Sequence, residues 1–261
     1  MARRDRLCKN YRPVLNTDSQ NFSFSGQLIA NIIVKTKDFY IKLKKNSLNL
    51  VSFPVGSYAC NCSILYSDIT REAIIIDPGN DHDLIFKKIK ELDIKVKKLL
   101  HTHAHFDHIG RSSEISVATG ATMHLHKGDQ FLYDMLPQQG LFFGQKVGTP
   151  KPLDAHLQDG ETFSFTDPEI DTFLTTLHTP GHTPGSCCFY SEYFDTPQLF
   201  AGDTLFQQSI GRTDLPGGDG RLIIKSIKDR LLVLPDETQV IAGHGPATVI
   251  YQEKKHNPFL S

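Results

Sequence analysis

The sequence predicts an α/β domain in which two β-sheets pack together and helices cover them from outside. Two observations predict it. From Leu50 onward, short apolar runs are broken by Gly, Pro and Asp, the texture of strands and turns. Single amphipathic helices interrupt these runs twice over, so each group of strands has helices available to cover one face. A length of 261 residues suffices for one large domain with a proper core, or for two small ones.

Taken in order, "SILY" (63–66) and "AIIID" (73–77) read as strands around a polar turn, and "DPGN" (77–80) stops the second. "DHDLIFKKIKELD" (81–93) places Leu84, Ile85, Ile89 and Leu92 on one helical face, with an Asp at its start. "VKKLLH" (96–101) is a third strand. "RSSEISVAT" (111–119) is a second helix closed by Gly120, and "ATMHLH" (121–126) is again a strand. Residues 127–160 are rich in Gly, Pro and Gln and read as a long, functional loop region with a short helix near Asp129–Met135. Strands follow at "ETFSF" (161–165), "TFLTTLHT" (172–179), "SCCFYS" (186–191) and "QLFAGD" (198–203). "LIIKSIKDRLLVL" (222–234) is an amphipathic helix ended by Pro235, and "TQVIAGHG" (238–245) is a last strand.

Composition narrows the class. Hydrophobic content of 39% and charged content of 22% are those of a globular domain. A net charge of −1 offers no electrostatic basis for a nucleic-acid or acidic-membrane partner, and no apolar run approaches the ~18–20 residues of a membrane span. The first 50 residues carry ten Lys/Arg against three Asp, a net +7, which leaves −8 for residues 51–261. Residues 1–49 are therefore assigned as a basic, poorly ordered extension and residues 50–261 as the folded domain. A transit peptide and an over-long start are the alternatives for the extension. The five cysteines, Cys8, Cys60, Cys62, Cys187 and Cys188, form no CxxC pair and fit buried thiols of a reduced, cytoplasmic chain. Cys60 and Cys62 fall on one face of a strand.

Chemistry concentrates at four strand ends. The first carries His103, His105, Asp107 and His108 in "HTHAHFDHIG"; the second carries His178 and His182 in "HTPGHTPGS". Asp203 in "LFAGDTLF" and His244 in "VIAGHGPAT" make the third and fourth. Strand ends are held by a rigid scaffold yet can point into a common mouth. His103 and His105 are two apart and project to one side of an extended segment, so both can bind one ion. Asp107 and His108 come as the chain turns, and face another direction. One segment thus supplies halves of a two-metal site, with His182 completing the first set, His244 the second, and the two oxygens of Asp203 able to bridge. Imidazole and carboxylate without thiolate suit zinc, iron or manganese, and zinc is the commonest catalytic choice. His101 lies outside the pattern and reads as core-facing or supporting, and His178 as orienting or structural. His124 and His126 read as packing or surface residues, and His82, His156 and His256 as surface.

In this order, HTHAHFDHIG, HTPGHTPGS, AGDTLF and AGHGP resemble the metallo-β-lactamase superfamily from about Val51 to the C-terminus. The resemblance implies a four-layer αββα sandwich with two divalent metal ions at one edge between the sheets. It implies that His103, His105 and His182 hold the first metal, that Asp107, His108 and His244 hold the second, and that Asp203 bridges them. "GDTLFQQSIGRTDLPGGD" (202–219) and the closing "GHGPAT…EKKHNPFL" resemble more narrowly the short glyoxalase II-like hydrolases, the hydroxyacylglutathione hydrolase group. The long form carries a helical C-terminal domain that contacts the thiol; only 17 residues follow His244 here.

The function expected is hydrolysis of a small-molecule thioester to a 2-hydroxy acid and a thiol. Two cations a few Å apart lower the pKa of a bridging water, and the resulting hydroxide attacks the carbonyl while Asp107 holds or accepts the proton. Arg212 in "IGRTD" would bind a substrate carboxylate or, alternatively, be a buried structural Arg paired to Asp214. Persulfide dioxygenases, which share the HxHxDH stretch and a similar GRTD segment but use one iron and oxygen, are the main alternative. β-Lactam hydrolysis and a non-catalytic binding role are others, the last opposed by the complete donor set. No motif bears on oligomeric state.

Overall fold

The structure, a computed structural model, describes residues 41–260. Seven strands form the first sheet, in spatial order β1 (Ile41–Lys45), β2 (Leu48–Val55), β3 (Cys60–Ser67), β4 (Glu72–Ile76), β5 (Lys95–Leu100), β6 (Thr122–His126) and β7 (Ala155–Leu157). The first four run antiparallel to their neighbours, and β4 through β7 are parallel. Five helices belong to this half: α1 (His82–Leu92), α2 (Phe106–Ile109), α3 (Ser112–Thr119), α4 (Gln130–Asp134) and α5 (Leu136–Phe143). The second half contributes β8 (Thr162–Phe163), β9 (Leu174–His178), β10 (Cys187–Ser191), β11 (Gln198–Gly202), the small hairpin β12 (Leu205–Phe206) and β13 (Ser209–Ile210), β14 (Gln239–Ala242) and β15 (Thr248–Val249). Apart from the hairpin these make a six-stranded sheet in the order β15-β14-β11-β10-β9-β8, flanked by α6 (Gly220–Ser226) and α7 (Ile250–His256).

Side-chain alternation explains the layering. In β4, Ala73 and Ile75 pack toward the helices with Ile85 and Ile115, while Ile74 and Ile76 pack toward the second sheet with Phe189, Phe200 and Ile241. In β11, Leu199 and Ala201 meet Ile223 and Ile250 on the outer helices, while Phe200 turns inward. Strands buried on both faces read as unbroken apolar runs rather than alternating ones, which is why "AIII" carries no period of two. Three apolar layers therefore separate four structural layers, and the expected αββα sandwich is the fold.

Local signals end the helices where the sequence places them. Asp81 caps α1, its side chain accepting from Leu84 N at 3.1 Å. Gly120 closes α3 in the left-handed conformation at φ +74°, its N–H bonding Ser116 O at 2.8 Å.

Four features differ from expectation. The boundary between residues 49 and 50 falls inside β2, and β1 also precedes it, so the folded domain starts no later than Ile41. The reason it is hard to read is that "IKLKK" alternates apolar residues with exposed lysines, a charged edge strand that discourages pairing with other chains. The rest of the expected extension, with Cys8, lies outside the described residues. The 127–160 loop region holds α5 and β7 as well as the expected short helix. Pro137 in the first turn of α5 and Gly140 within it hide the helix from propensity. The predicted 222–234 helix begins two residues earlier, capped by Asp219, and passes at Ile227–Leu231 into a wider π-type turn. The strand expected at 161–165 pairs over Thr162–Phe163 only.

Cys60, Cys62, Cys187 and Cys188 are all buried free thiols. Among the described residues no helix is long and apolar enough to cross a membrane.

Candidate metal centre

The carboxyl ends of β4, β5, β6, β9, β11 and β14 deliver chain turns to one edge of the sandwich. All seven predicted His/Asp residues meet there. His103, His105 and His182 bring ligating atoms within 4.8 Å of one another; so do His103, His108 and Asp203, and so do Asp107, His108 and His244. Asp203 lies between the two sets. Its Oδ2 is 3.6 Å from His182 Nε2, and its Oδ1 is 3.4 Å from His108 Nε2 and 3.6 Å from His244 Nε2. Asp107 Oδ2 is 3.2 Å from His244 Nε2. Gly243 permits this closeness: a Cβ there would run into Asp203 Oδ1 and the His108 ring.

Backbone and side-chain acceptors fix which nitrogen each ring turns inward. His182 Nδ1 donates to Arg212 O (2.7 Å) and His244 Nδ1 to Tyr58 O (2.9 Å). His108 Nδ1 donates to Asp77 Oδ2 (3.0 Å). His103 Nδ1 donates to Thr102 Oγ1 (3.0 Å), which itself donates to Asp77 Oδ2 (2.6 Å). These four rings thus spend their protons on the outside and face the centre with an Nε2 lone pair, the arrangement that orients and strengthens imidazole ligands, while His105 turns its Nδ1 inward, 3.0 Å from His182 Nε2.

This pattern tests the site for a metal. The Nε2 atoms of His108 and His244 are 3.2 Å apart with both Nδ1 protons committed, so when both rings are neutral two lone pairs confront each other unless a metal cation lies between them. Among the described residues His103 Nε2 and Asp203 Oδ1 are buried without a hydrogen-bond partner. Asp77, Asp107 and Asp203 gather three carboxylates at one site, which two divalent cations would overcompensate by one charge. The residues fit a pair of divalent ions.

The titrating groups agree. Burial pushes His103 well below its usual range and His105 down to about 3, which keeps both imidazoles neutral, the ligating state. Burial would raise Asp203, but His108, His182 and His244 outweigh it and hold the carboxyl far below the usual carboxylate range. Burial likewise opposes ionisation of Asp107, and His108 and His244 overcome it. The Cys60 thiol, 3.5 Å from His108 Nδ1, is pushed by burial up to about 12 and stays a neutral neighbour.

Two carboxylates that the motif pattern did not single out organise the site. Asp77 receives Thr102 N, Thr102 Oγ1 and His108 Nδ1, and so supports two of the candidate ligands; it sits at φ +49°, a conformation held by these bonds. Asp129, fully buried, accepts from Ala104 N (3.0 Å), between His103 and His105, and from Thr183 Oγ1 (2.7 Å) and Gly185 N (2.6 Å), just after His182. It ties together the two loops that carry the first set. Both residues obey the rule that found the others, an Asp at a strand end beside Pro or Gly. Asp129→Ala is expected to weaken metal binding about 10–100-fold, the usual consequence of removing a partner that orients ligands. Competition with a chromophoric chelator measures it; unchanged affinity would reduce Asp129 to a packing role.

The other histidines fall outside the centre. His101 is core-facing, its ring between His124 O and Ser112 Oγ at 2.8 Å each. His178 is structural, Nε2 donating to Pro184 O (3.0 Å) while its ring stacks on His126. His124 is buried against Thr122, and His156 and His256 are exposed. Arg212 is exposed rather than buried, and its guanidinium grips Asp214 through two 2.7 Å bonds, so what it presents to the centre is its backbone carbonyl.

Residues 55–244 match the Metallo-beta-lactamase superfamily. The chain belongs to the metallo-beta-lactamase superfamily. This superfamily member is 40% identical over 222 residues to the hydroxyacylglutathione hydrolase GloC of Haemophilus influenzae, covering 82% of this chain and 99% of that protein. Its fold is similar to that of the BLEG-1 B3 metallo-beta-lactamase, at 39% identity and a TM-score of 0.72 over 81% of this chain and 99% of the other. It is also similar to TTHA1623 in a di-iron-bound form, at 33% identity and a TM-score of 0.71 over 79% and 98%. The His/Asp clusters are consistent with the binuclear metal site of this superfamily, and membership and donor set together make the chain a metal-dependent hydrolase.

Proposed function

We propose that this superfamily member hydrolyses thioesters of the glyoxalase II type, converting an S-2-hydroxyacyl glutathione or a related thioester and water into an acid and a thiol. The observation that carries the reading is Asp203, set between two histidine groups with one carboxylate oxygen toward each. The 40% identity to GloC over nearly all of that protein supports the thioester as substrate. His103, His105 and His182 would hold one cation, Asp107, His108 and His244 the other, and Asp203 both; zinc suits the donors, as do iron and manganese. When bound, the cations supply Lewis acidity that brings a water's pKa toward neutrality and polarises a carbonyl.

The chain's own residues do the rest. In this reading the carbonyl would be set on the side lined by neutral His103 and His105, and the leaving sulfur on the side of His108 and His244. Asp107, kept ionised against its burial, accepts the proton of the attacking water through the carboxylate that faces His244. The bonds from His182 to Arg212 O and from His244 to Tyr58 O hold both rings while charge builds up on the substrate. The same groups would serve the addition of water to a β-lactam carbonyl with cleavage of the ring C–N bond, a second reading that the likeness to BLEG-1 favours. Metal content by mass spectrometry, combined with hydrolysis of S-D-lactoylglutathione followed in time, tests the proposal. Two ions per chain with stoichiometric thiol release are expected. One iron per chain with oxygen consumed on glutathione persulfide would replace hydrolysis by dioxygenation.

A further inference from the structure

A cavity of about 300 Å³ opens beside the centre, and His105 lines both. Leu132 and Met135 form one wall, Phe142 and Phe143 of α5 the next, and Leu215 and Pro216 close the opposite side. Two glutamines border it: Gln138 is exposed at the rim, and the polar atoms of Gln139 are spent elsewhere, Oε1 accepting from Phe106 N and Nε2 donating to Ala104 O and Leu132 O. Among the described residues no Lys, Arg, Asp or Glu lines it. Arg212, three residues before Leu215, has its charge matched by Asp214. Met135 and Phe142 leave 44% and 82% of their surface open, so the cavity has an exposed apolar rim.

We propose that this cavity takes the acyl arm of the substrate, and that the arm is uncharged and apolar, an aryl or branched-alkyl group rather than a small hydroxyacyl group. The inference rests on the thioester hydrolysis proposed above, which sets the carbonyl on the His103/His105 side. His105 carries that side into the cavity, whose mostly carbon walls can desolvate an apolar group, while a carboxylate or small hydroxyacyl group would find no cationic side chain among them. The volume is at the lower end for small-molecule sites, enough for a ring or short chain. Nothing in these walls selects the thiol.

Steady-state kinetics on S-phenylacetylglutathione and S-D-lactoylglutathione hold the thiol constant and vary the acyl arm. The phenylacetyl thioester is expected to be preferred by at least about tenfold in kcat/KM, the scale on which apolar pockets discriminate. Met135→Glu and Phe142→Glu, both at exposed positions, are expected to raise KM for that substrate by about tenfold with kcat and metal content retained. Val117→Glu, an exposed apolar position on α3 that does not line the cavity, is expected to change neither substrate. Preference for the lactoyl thioester, or equal damage to both substrates in the two cavity variants, overturns the proposal. So does a dimer in sedimentation that either cavity variant dissolves, since a second copy would then be the occupant. Binding without turnover separates this proposal from the reaction: uncharged phenylacetamide is expected to shift the Met135 methyl resonance. If it does while no thioester is cleaved, the cavity stands and the hydrolase reading fails; if it shifts nothing, the cavity proposal fails.

Discussion

Asp203→Ala is expected to reduce hydrolysis by on the order of 10²–10³-fold or more, the scale seen when one electrostatic element of a reaction centre is removed. The loss is larger than for a single histidine because Asp203 faces both sets, with His182 on one oxygen and His108 and His244 on the other. The metal count is expected to fall below two per chain, with circular dichroism unchanged. Asp203→Asn keeps the shape and one acceptor oxygen but loses the negative charge, and is expected to fall between Ala and wild type. An alanine variant that kept two ions and full rate would remove Asp203 from the bridging position.

Stripping the metal with a chelator is expected to lower the melting temperature by about 8–16 °C. A ligand at a thousand times its Kd stabilises by about 4 kcal/mol, and a domain of this size shifts about 2–4 °C per kcal/mol. The stripped protein keeps His103 Nε2 and Asp203 Oδ1 buried with no hydrogen-bond partner among the described residues and, once His108 is neutral, the confronted lone pairs of His108 and His244. A proton on His108 substitutes in part for the missing cation. Burial would lower His108, but Asp203, Asp77 and Asp107 raise it well above 6.5. A raised folded pKa stabilises fully below pH 6.5, and that contribution disappears as pH rises through the raised value. The gap in melting temperature between loaded and stripped protein is therefore expected to widen from pH 6.5 upward, read by differential scanning fluorimetry. A constant gap would mean that His108 is not protonated in the stripped centre.

The limits of sequence reading show in particular residues. α1 was legible because its cap, Asp81, and its apolar face lie within a few positions of each other. β1 was not, because "IKLKK" looks like a solvated charge run until a neighbouring strand pairs with it. α5 was obscured by Pro137 and Gly140, whose costs depend on where in the helix they stand; a Cβ at Gly140 would crowd Gln145 O and Val147. Asp77 and Asp129 carried the same strand-end signature as the candidate ligands. Nothing local showed that they point at backbone amides and imidazole protons instead of at the centre.

By itself the sequence determined the pieces: strands from short apolar runs between turn residues, helix ends from caps, and a metal-capable donor set from the alternation in HTHAH and the turn that follows. These depend on backbone periodicity, which is encoded within a few residues. The tertiary structure alone decided how the pieces act together. It set Asp203 between two histidine groups, matched His244 to Tyr58 O across 186 residues and His182 to Arg212 O across 30, and turned Arg212's side chain to Asp214. It also built an uncharged cavity wall from α4, α5 and the loop after β13. Those contacts exist because two sheets pack face to face and bring distant strand ends to one edge, and the distance across a packed core leaves no trace in the spacing along the chain.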